Sequence, residues 1–251
     1  DFFDRHGFLN IDDRPVWRTV RGGSREYVKQ MALIFDEDRR VISRVGTPVK
    51  QVCRHVDRVD IIDARGALDR FDYVVMACHS DQALAMLESP THAERDVLGA
   101  FPYQPNEAIL HTDARVLPRK PLARAAWNYH LRNPDTERVC LTYDMNVLQN
   151  IESSTRFLVT LNRDDIDPAQ ILGRYVYDHP VYTPQAVRAQ ARRAEVSGHQ
   201  RSFYCGAYWR YGFHEDGVVS ALWALDDFYK IAGGQRPPQP VLEPQRRPPP
   251  A

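Results

Sequence analysis

The sequence predicts a mixed α/β (α+β) fold with an antiparallel sheet inserted into it, and three observations carry that prediction. Tyr73 to Ala77 is a continuous apolar run bounded by Asp72 and by Cys78-His79-Ser80, as suits a strand buried on both faces of an α/β layer. The stretch "FYCGAYWRYGFHEDGVVSAL", Phe203 to Leu222, reads as strand, glycine-spaced loop and helix. Between them, roughly Pro102 to Thr160, short strand-like runs alternate with turns, which is the pattern of an antiparallel sheet.

Along the chain, Gly22-Gly23-Ser24 precedes Tyr27, Val28, Met31 and Ile34 at helical spacing, predicting a helix from about Arg25 to Leu33 with Ser24 as its cap. Val41 to Ser43, Val49 to His55 and Arg58 to Asp63 read as strands of a small sheet, with "ARGALD" as a turn. Ser80 can cap a helix from Asp81 to Leu87, and Thr91 with Glu94 forms a capping-box pattern for His92 to Leu98, closed by Gly99. The runs "EAILHTD", "AAWNYHL", "RVCLTYDM" and "RFLVTLN" supply the strands of the middle sheet. Asp167-Pro168 and Thr183-Pro184 pair a cap with proline at the first helical position, predicting helices over Pro168 to Gly173 and Pro184 to Val196.

Phe203 to Cys205 form a short buried strand that Gly206 breaks, and the last helix is expected over Val218 to Tyr229. Its loop ends in Glu215-Asp216-Gly217. Either Asp216 caps the helix by accepting its unpaired N–H groups, or those groups point at a ligand anion. The tail from 232 is proline-rich and poor in apolar residues, so it is expected to be extended or disordered, with a PxxP-type partner as one use for it.

Bulk properties narrow the function. With 33 basic and 33 acidic side chains in 251 residues there is no positive excess to suggest nucleic acid or a membrane surface. No apolar run reaches the roughly 20 residues of a spanning helix, which predicts a soluble chain. Cys53, Cys78, Cys140 and Cys205 lack CxxC spacing, which argues against zinc or a disulfide framework and for reduced thiols in the cytoplasm. HExxH, GxSxG and P-loop patterns do not occur, and "NRDDIDP" lacks EF-hand spacing, so no metal is expected. The abrupt opening on "DFFDRHGFLNIDDRPVW" predicts that an N-terminal portion precedes it.

The stretches "WRTVRGGSREYV", "FDYVVMACHSDQAL", "GAFPYQPNEAILHTD", "WNYH", "HPVYTP" and "FYCGAYWRYGFHEDGVVSAL" occur in the order of pieces just described. Together they resemble the C-terminal two-thirds of the flavin-containing amine oxidase superfamily, most closely a bacterial branch described as predicted NAD/FAD-binding oxidoreductases. The resemblance runs from about residue 7 to residue 229. It implies a Rossmann-like FAD-binding domain built from residues 1–100 and 199–231, a substrate-binding domain over 101–198, and a disordered tail over 232–251. The GxGxxG loop that holds the pyrophosphate in that family is absent from this chain, so its FAD-binding domain is incomplete.

Carried over by position, the resemblance implies that Gly206 and Ala207 pass beside the ribityl chain. It also implies that backbone N–H groups of Asp216, Gly217 and Val218 face flavin oxygens. The family more often has an acidic residue where Ala207 stands. Val49 matches a strand that pairs with the adenine edge, Gly22, Gly23 and Ser24 a loop below the flavin, and Cys78, followed by His79, a strand end near the dinucleotide.

Tyr208, Trp209 and Tyr211 are the candidates for a wall of the substrate cavity. Lys120, the only lysine between Lys50 and Lys230, sits in an exposed-looking turn and is not assigned the lysine role near flavin N5. His111, Asp113, Asn128, Tyr129 and His130 lie on predicted substrate-domain strands, where they can line the cavity, although solvation at the sheet surface is expected for most of them. No catalytic residue is singled out. The implied activity is an FAD-dependent, amine-oxidase-like oxidoreductase passing a hydride equivalent from a small organic substrate to non-covalent flavin. The alternatives are a desaturase- or isomerase-like flavoenzyme acting on a lipid or isoprenoid, and a non-catalytic interaction module without flavin.

Overall fold

A computed structural model describes residues 18–131 and 138–233, together with Asp12. The chain divides into two compact units. One contains the described residues up to Val45 and Pro105–Asp178; the other contains Gly46–Gln104 and the described residues from His179 onward. The proline-rich tail and the expected disorder there lie outside the described residues.

In the first unit, helix α1 (Arg25–Glu37) follows Gly22 and Gly23, both in the left-handed region at φ +82° and +87°. Ser24 stands at its cap position, but its side chain makes no capping bond. The rest of this unit is built on a five-stranded sheet. Strands β5 (Tyr103–His111), β6 (Trp127–Tyr129), β7 (Leu141–Asp144), β8 (Leu158–Leu161) and β9 (Ile171–Pro180) lie in the order β6-β7-β8-β5-β9. The pairs β6/β7, β7/β8 and β8/β5 are antiparallel, as the alternating runs predict. Beneath it, Ile109, Val116, Leu117, Leu158 and Ile166 form a core.

The helix expected over Pro168 to Gly173 is instead one 3-10 turn, Pro168–Gln170, leading into β9. The Asp167 cap is real, its carboxylate accepting the Ala169 N–H at 3.0 Å. However, Tyr175-Val176-Tyr177 are β-branched and aromatic, and such residues favour a strand over a second helical turn.

The second unit opens with a meander of β1 (Val49–Arg54), β2 (Val59–Asp63) and β3 (Leu68–Phe71) in that order. Three strands are present, but not the expected three: Val41 to Ser43 form none, and β3 begins inside the stretch read as a turn. Asp63 explains the difference. Its Oδ1 accepts the N–H groups of both Arg65 and Ala67, at 2.8 and 2.9 Å, closing the reversal early so that Leu68 onward is free to pair with β2.

Strand β4 (Val74–Met76) pairs in parallel with β10 (Ser202–Tyr204). Met76 is buried, but Val75 is 48 % exposed, so β4 is not covered on both faces by the described residues. Helix α2 (Ser80–Met86) includes Ser80 rather than being capped by it, because the Ser80 hydroxyl and N–H both meet the Tyr103 hydroxyl. Helix α3 (His92–Leu98) carries the predicted capping box, with Thr91 and Glu94 bonded reciprocally at 3.1 and 2.7 Å.

After α4 (Met145–Leu148) of the first unit, the next helix in chain order is α5 (Pro184–Gln190) of the second. It stops short of the expected Val196, and a separate 3-10 turn covers Arg193–Glu195. Thr183 Oγ1 accepts the Ala186 N–H at 3.1 Å. Thr183→Ala is therefore expected to lower stability by about 1 kcal/mol, read from the urea midpoint.

The final helix, α6 (His214–Ala232), begins four residues earlier than predicted and runs for 19 residues. Asp216 is consequently its third residue, not its cap. It reaches back, as the acidic partner of a capping box does, to accept the Phe213 N–H at 2.9 Å and the Tyr211 N–H at 3.2 Å. The core of this unit gathers Val59, Leu98, Phe101, Tyr204, Tyr208 and Trp209.

Candidate functional site

Parallel strands place ligands at their carboxyl ends, and in the second unit the ends of β4 and β10 bring Cys78, His79, Cys205 and Gly206 together. The Cys205 N–H extends the pairing to the Met76 carbonyl at 3.1 Å. Gly206 is demanded by its surroundings. A Cβ there would stand 2.7 Å from Tyr208 Cδ1 and 3.4 Å from the Cys78 carbonyl oxygen.

The loop is tied to α6 through Ser220, a fully buried residue whose hydroxyl accepts the Gly206 N–H at 2.8 Å and donates to the Gly217 carbonyl at 2.7 Å. On the other side, Gln190 Nε2 donates to the carbonyls of Tyr208 and Arg210 at 2.9 and 2.6 Å. Neither residue is singled out by sequence reasoning. The signal for Ser220 is its place three residues after Gly217, whereas Gln190 has none.

Several polar atoms at this end of the unit are buried without a partner among the described residues: His79 Nδ1, the Tyr208 hydroxyl and the Trp209 indole N–H. The His79 ring stacks on Tyr103, centroids 4.5 Å apart. Burial pushes up the Cys78 and Cys205 thiols and holds the Tyr208 hydroxyl well above its ordinary range, so all three are neutral at pH 7.

Gly217 lies in the first turn of α6, and apart from its chain neighbours and the helix's own backbone no atom of the described residues comes within 4 Å of where its Cβ would stand. The N–H groups of Asp216 and Gly217 donate to the Phe213 carbonyl at 3.0 and 3.2 Å. Ala207, Tyr208 and Trp209 make one 3-10 turn; Tyr208 and Trp209 face the core, while Tyr211 is partly exposed and Val218 lies on the outer surface of α6. Val49 opens β1 in the meander of the same unit, and Gly22, Gly23 and Ser24 belong to the other unit.

The first unit contains a cleft of about 500 Å³. Asn128, Tyr129 and His130 line it, and Lys120 is exposed on a neighbouring 3-10 turn. Solvation is the wrong reading for His111, Asp113 and Asn128, which are all buried. Sheet register is the reason: a ladder of 2.8 Å hydrogen bonds runs from His111 Nε2 to Thr160, from Thr160 to Thr142, and from Thr142 to His130 Nε2. The Asp113 N–H donates to His111 Nδ1, which places the His111 proton on Nε2. Burial lowers the affinity of His111 for a second proton. Asp113 grips Arg115 through Nε and Nη2 at 2.8 and 2.7 Å, and this contact holds its carboxyl far below the usual range.

Residues 2–147 match the profile of the flavin containing amine oxidoreductases. This chain belongs to that family. No curated protein matches it in sequence. Among solved structures it resembles an Exiguobacterium sp. 255-15 protein assigned as a protoporphyrinogen oxidase, at 13% identity and a TM-score of 0.59, covering 82% of this chain and 51% of that one.

It also resembles a putrescine oxidase bound to putrescine, at 12% identity and a TM-score of 0.54, covering 82% and 53%. The corresponding values for cyclohexylamine oxidase from Brevibacterium oxydans IH-35A are 12%, 0.50, 74% and 48%. At such identities the likeness is one of fold, and this family member spans about half the length of the structures it matches. Among the described residues no helix is long and apolar enough to cross a membrane, and no group of His, Cys, Asp or Glu is placed to hold a metal ion.

Proposed function

We propose that this chain is part of an FAD-dependent oxidoreductase that removes a hydride equivalent from a small organic substrate, with the flavin held non-covalently at the ends of β4 and β10. Family membership supports the flavin, and the observation that carries its location is Gly217. A helical glycine costs up to about 0.8–1.0 kcal/mol relative to alanine, and here no packing contact among the described residues requires one. Close backbone approach of a ligand does. Gly206 beside the Cys78 carbonyl and the unpartnered His79, Tyr208 and Trp209 polar atoms fit the same group.

When bound, flavin supplies the two-electron acceptor. The residues of this chain supply position. Ser220 fixes Gly206 against the first turn of α6, Gln190 fixes the Ala207–Trp209 turn, and Asp216 organises the loop by taking the N–H groups of Tyr211 and Phe213. The neutral thiols of Cys78 and Cys205 add no charge beside the cofactor. Four free cysteines fit a reducing, cytoplasmic setting.

The test is FAD titration followed by absorption and fluorescence, on these 251 residues and on the longest polypeptide whose reading frame contains them. Gly217→Ala is expected to stabilise the flavin-free protein by about 0.5–1 kcal/mol while weakening FAD binding. A variant that is stabilised yet binds FAD as before would remove Gly217 from the site. Absence of flavin uptake in both polypeptides would sink the oxidoreductase reading.

A further inference from the structure

The cleft of the first unit has a charge pattern that the family resemblance does not explain. Among the described residues, its lining includes Arg115, Arg119 and His130 and no carboxylate. The two arginines differ. Arg115 is oriented by its two bonds to the buried Asp113, which also compensates its charge. Arg119 makes no hydrogen bond or ion pair among the described residues, so its charge faces the cleft uncompensated.

A further part of the lining comes from β6. Trp127 and Tyr129 are two apart on a strand, so they share a face, and both are exposed there. Asn128, between them, is buried and fastens the strand by bonding the Ala125 N–H, the Ala125 carbonyl and the Thr142 carbonyl at 3.1, 2.7 and 3.3 Å. The His130 ring is fixed through Nε2 by the Thr142 hydroxyl. The cleft therefore offers a pre-positioned aromatic face, an oriented guanidinium and one uncompensated cation.

We propose that this cleft binds an organic anion: a carboxylate on a flat apolar body, with the carboxylate at Arg119 and the body against Trp127 and Tyr129. Cation–aromatic contact alone would accept an amine. The uncompensated Arg119 guanidinium, with no carboxylate among the described lining residues, instead repels one, so the sign of the ligand charge is what the site selects.

Calorimetric titration with naphthalene-2-carboxylate, its neutral carboxamide and the cationic 2-(aminomethyl)naphthalene tests this directly, because the three share a body and differ in charge. The carboxylate is expected to bind saturably at one site and roughly tenfold or more tighter than the amine, the effect of one charge-assisted hydrogen bond. Arg119→Gln removes that preference and leaves the carboxamide affinity unchanged. Arg65→Gln, which removes an exposed arginine from the other unit, changes neither. Equal binding of the amine, equal loss in both arginine variants, or no saturable carboxylate binding would each overturn the proposal.

Discussion

Glu94→Ala is expected to destabilise the second unit by about 3–5 kcal/mol, the range for removing one partner of a buried ion pair. Glu94 is 1% exposed and serves four donors. Its carboxylate accepts from both terminal nitrogens of Arg54, from the Tyr204 hydroxyl at 2.7 Å and from the Thr91 N–H at 2.7 Å. Alanine would leave a guanidinium with almost no solvent, a fully buried hydroxyl and the first turn of α3 without their acceptor.

The urea midpoint of this transition measures the loss, and a change below about 1 kcal/mol would show that the cluster relaxes to water. The double variant Arg54→Met/Glu94→Met is expected to recover most of it, since an apolar pair of similar volume leaves no charge behind.

The same cluster sets a pH dependence. Burial alone would raise the Glu94 carboxyl, but its bonds to Arg54, Tyr204 and Thr91 outweigh that, and the group is held below its ordinary value of 4.5. A depressed folded-state pKa means that the contribution is complete above the unfolded value and is lost as pH falls through the folded one. Tyr204 works in the opposite direction. Burial, and then the Glu94 carboxylate, raise its hydroxyl, so its contribution is present below its unfolded value of 10.0 and is lost only as pH rises through the folded one. The contribution of this cluster should therefore be flat across neutral pH and fall on the acid side in wild type, with a shallower acid fall in the double methionine variant.

How far the sequence discloses these features depends on whether their cause is local. Thr91 and Glu94 are three residues apart, and the capping box is legible; Arg54 lies 40 residues away, and the second role of Glu94 is not. Thr183 and Pro184 announce α5 for the same local reason. At Gly217 the local rule misleads, because glycine reads as a break while Asp216 at the third helical position and the Ser220 hydroxyl carry the helix back to His214. Polar residues on strands invite a solvated reading, yet Thr142 and Thr160 are register partners, and their pairing buries His111. Pairing between distant strands is the information that periodicity in one strand lacks. The candidate flavin loop was legible as a glycine-spaced turn, but the atoms that hold it, on Ser220 and Gln190, come from two other elements.

Phe101→Ala is expected to cost about 3–5 kcal/mol, as aromatic deletions in a closed core do. Phe101 is 2% exposed, and its ring meets Tyr208 edge-on at 5.1 Å and Trp209 at 5.6 Å. Those two rings belong to the turn that follows Gly206, so the cavity opens directly behind the candidate flavin loop. Phe101→Leu, which retains more of the buried volume, is expected to lose less than alanine. Near-ultraviolet circular dichroism should weaken in the alanine variant as Tyr208 and Trp209 lose their fixed setting, while far-ultraviolet signal persists under native conditions. FAD titration of the same variants then separates two roles. If affinity falls in step with the aromatic signal, Phe101 positions the loop through its neighbours. Unchanged affinity beside a lowered urea midpoint would show that Ser220 and Gln190 hold the loop unaided, because their bonds to Gly206, Tyr208 and Arg210 are made independently of the Phe101 ring.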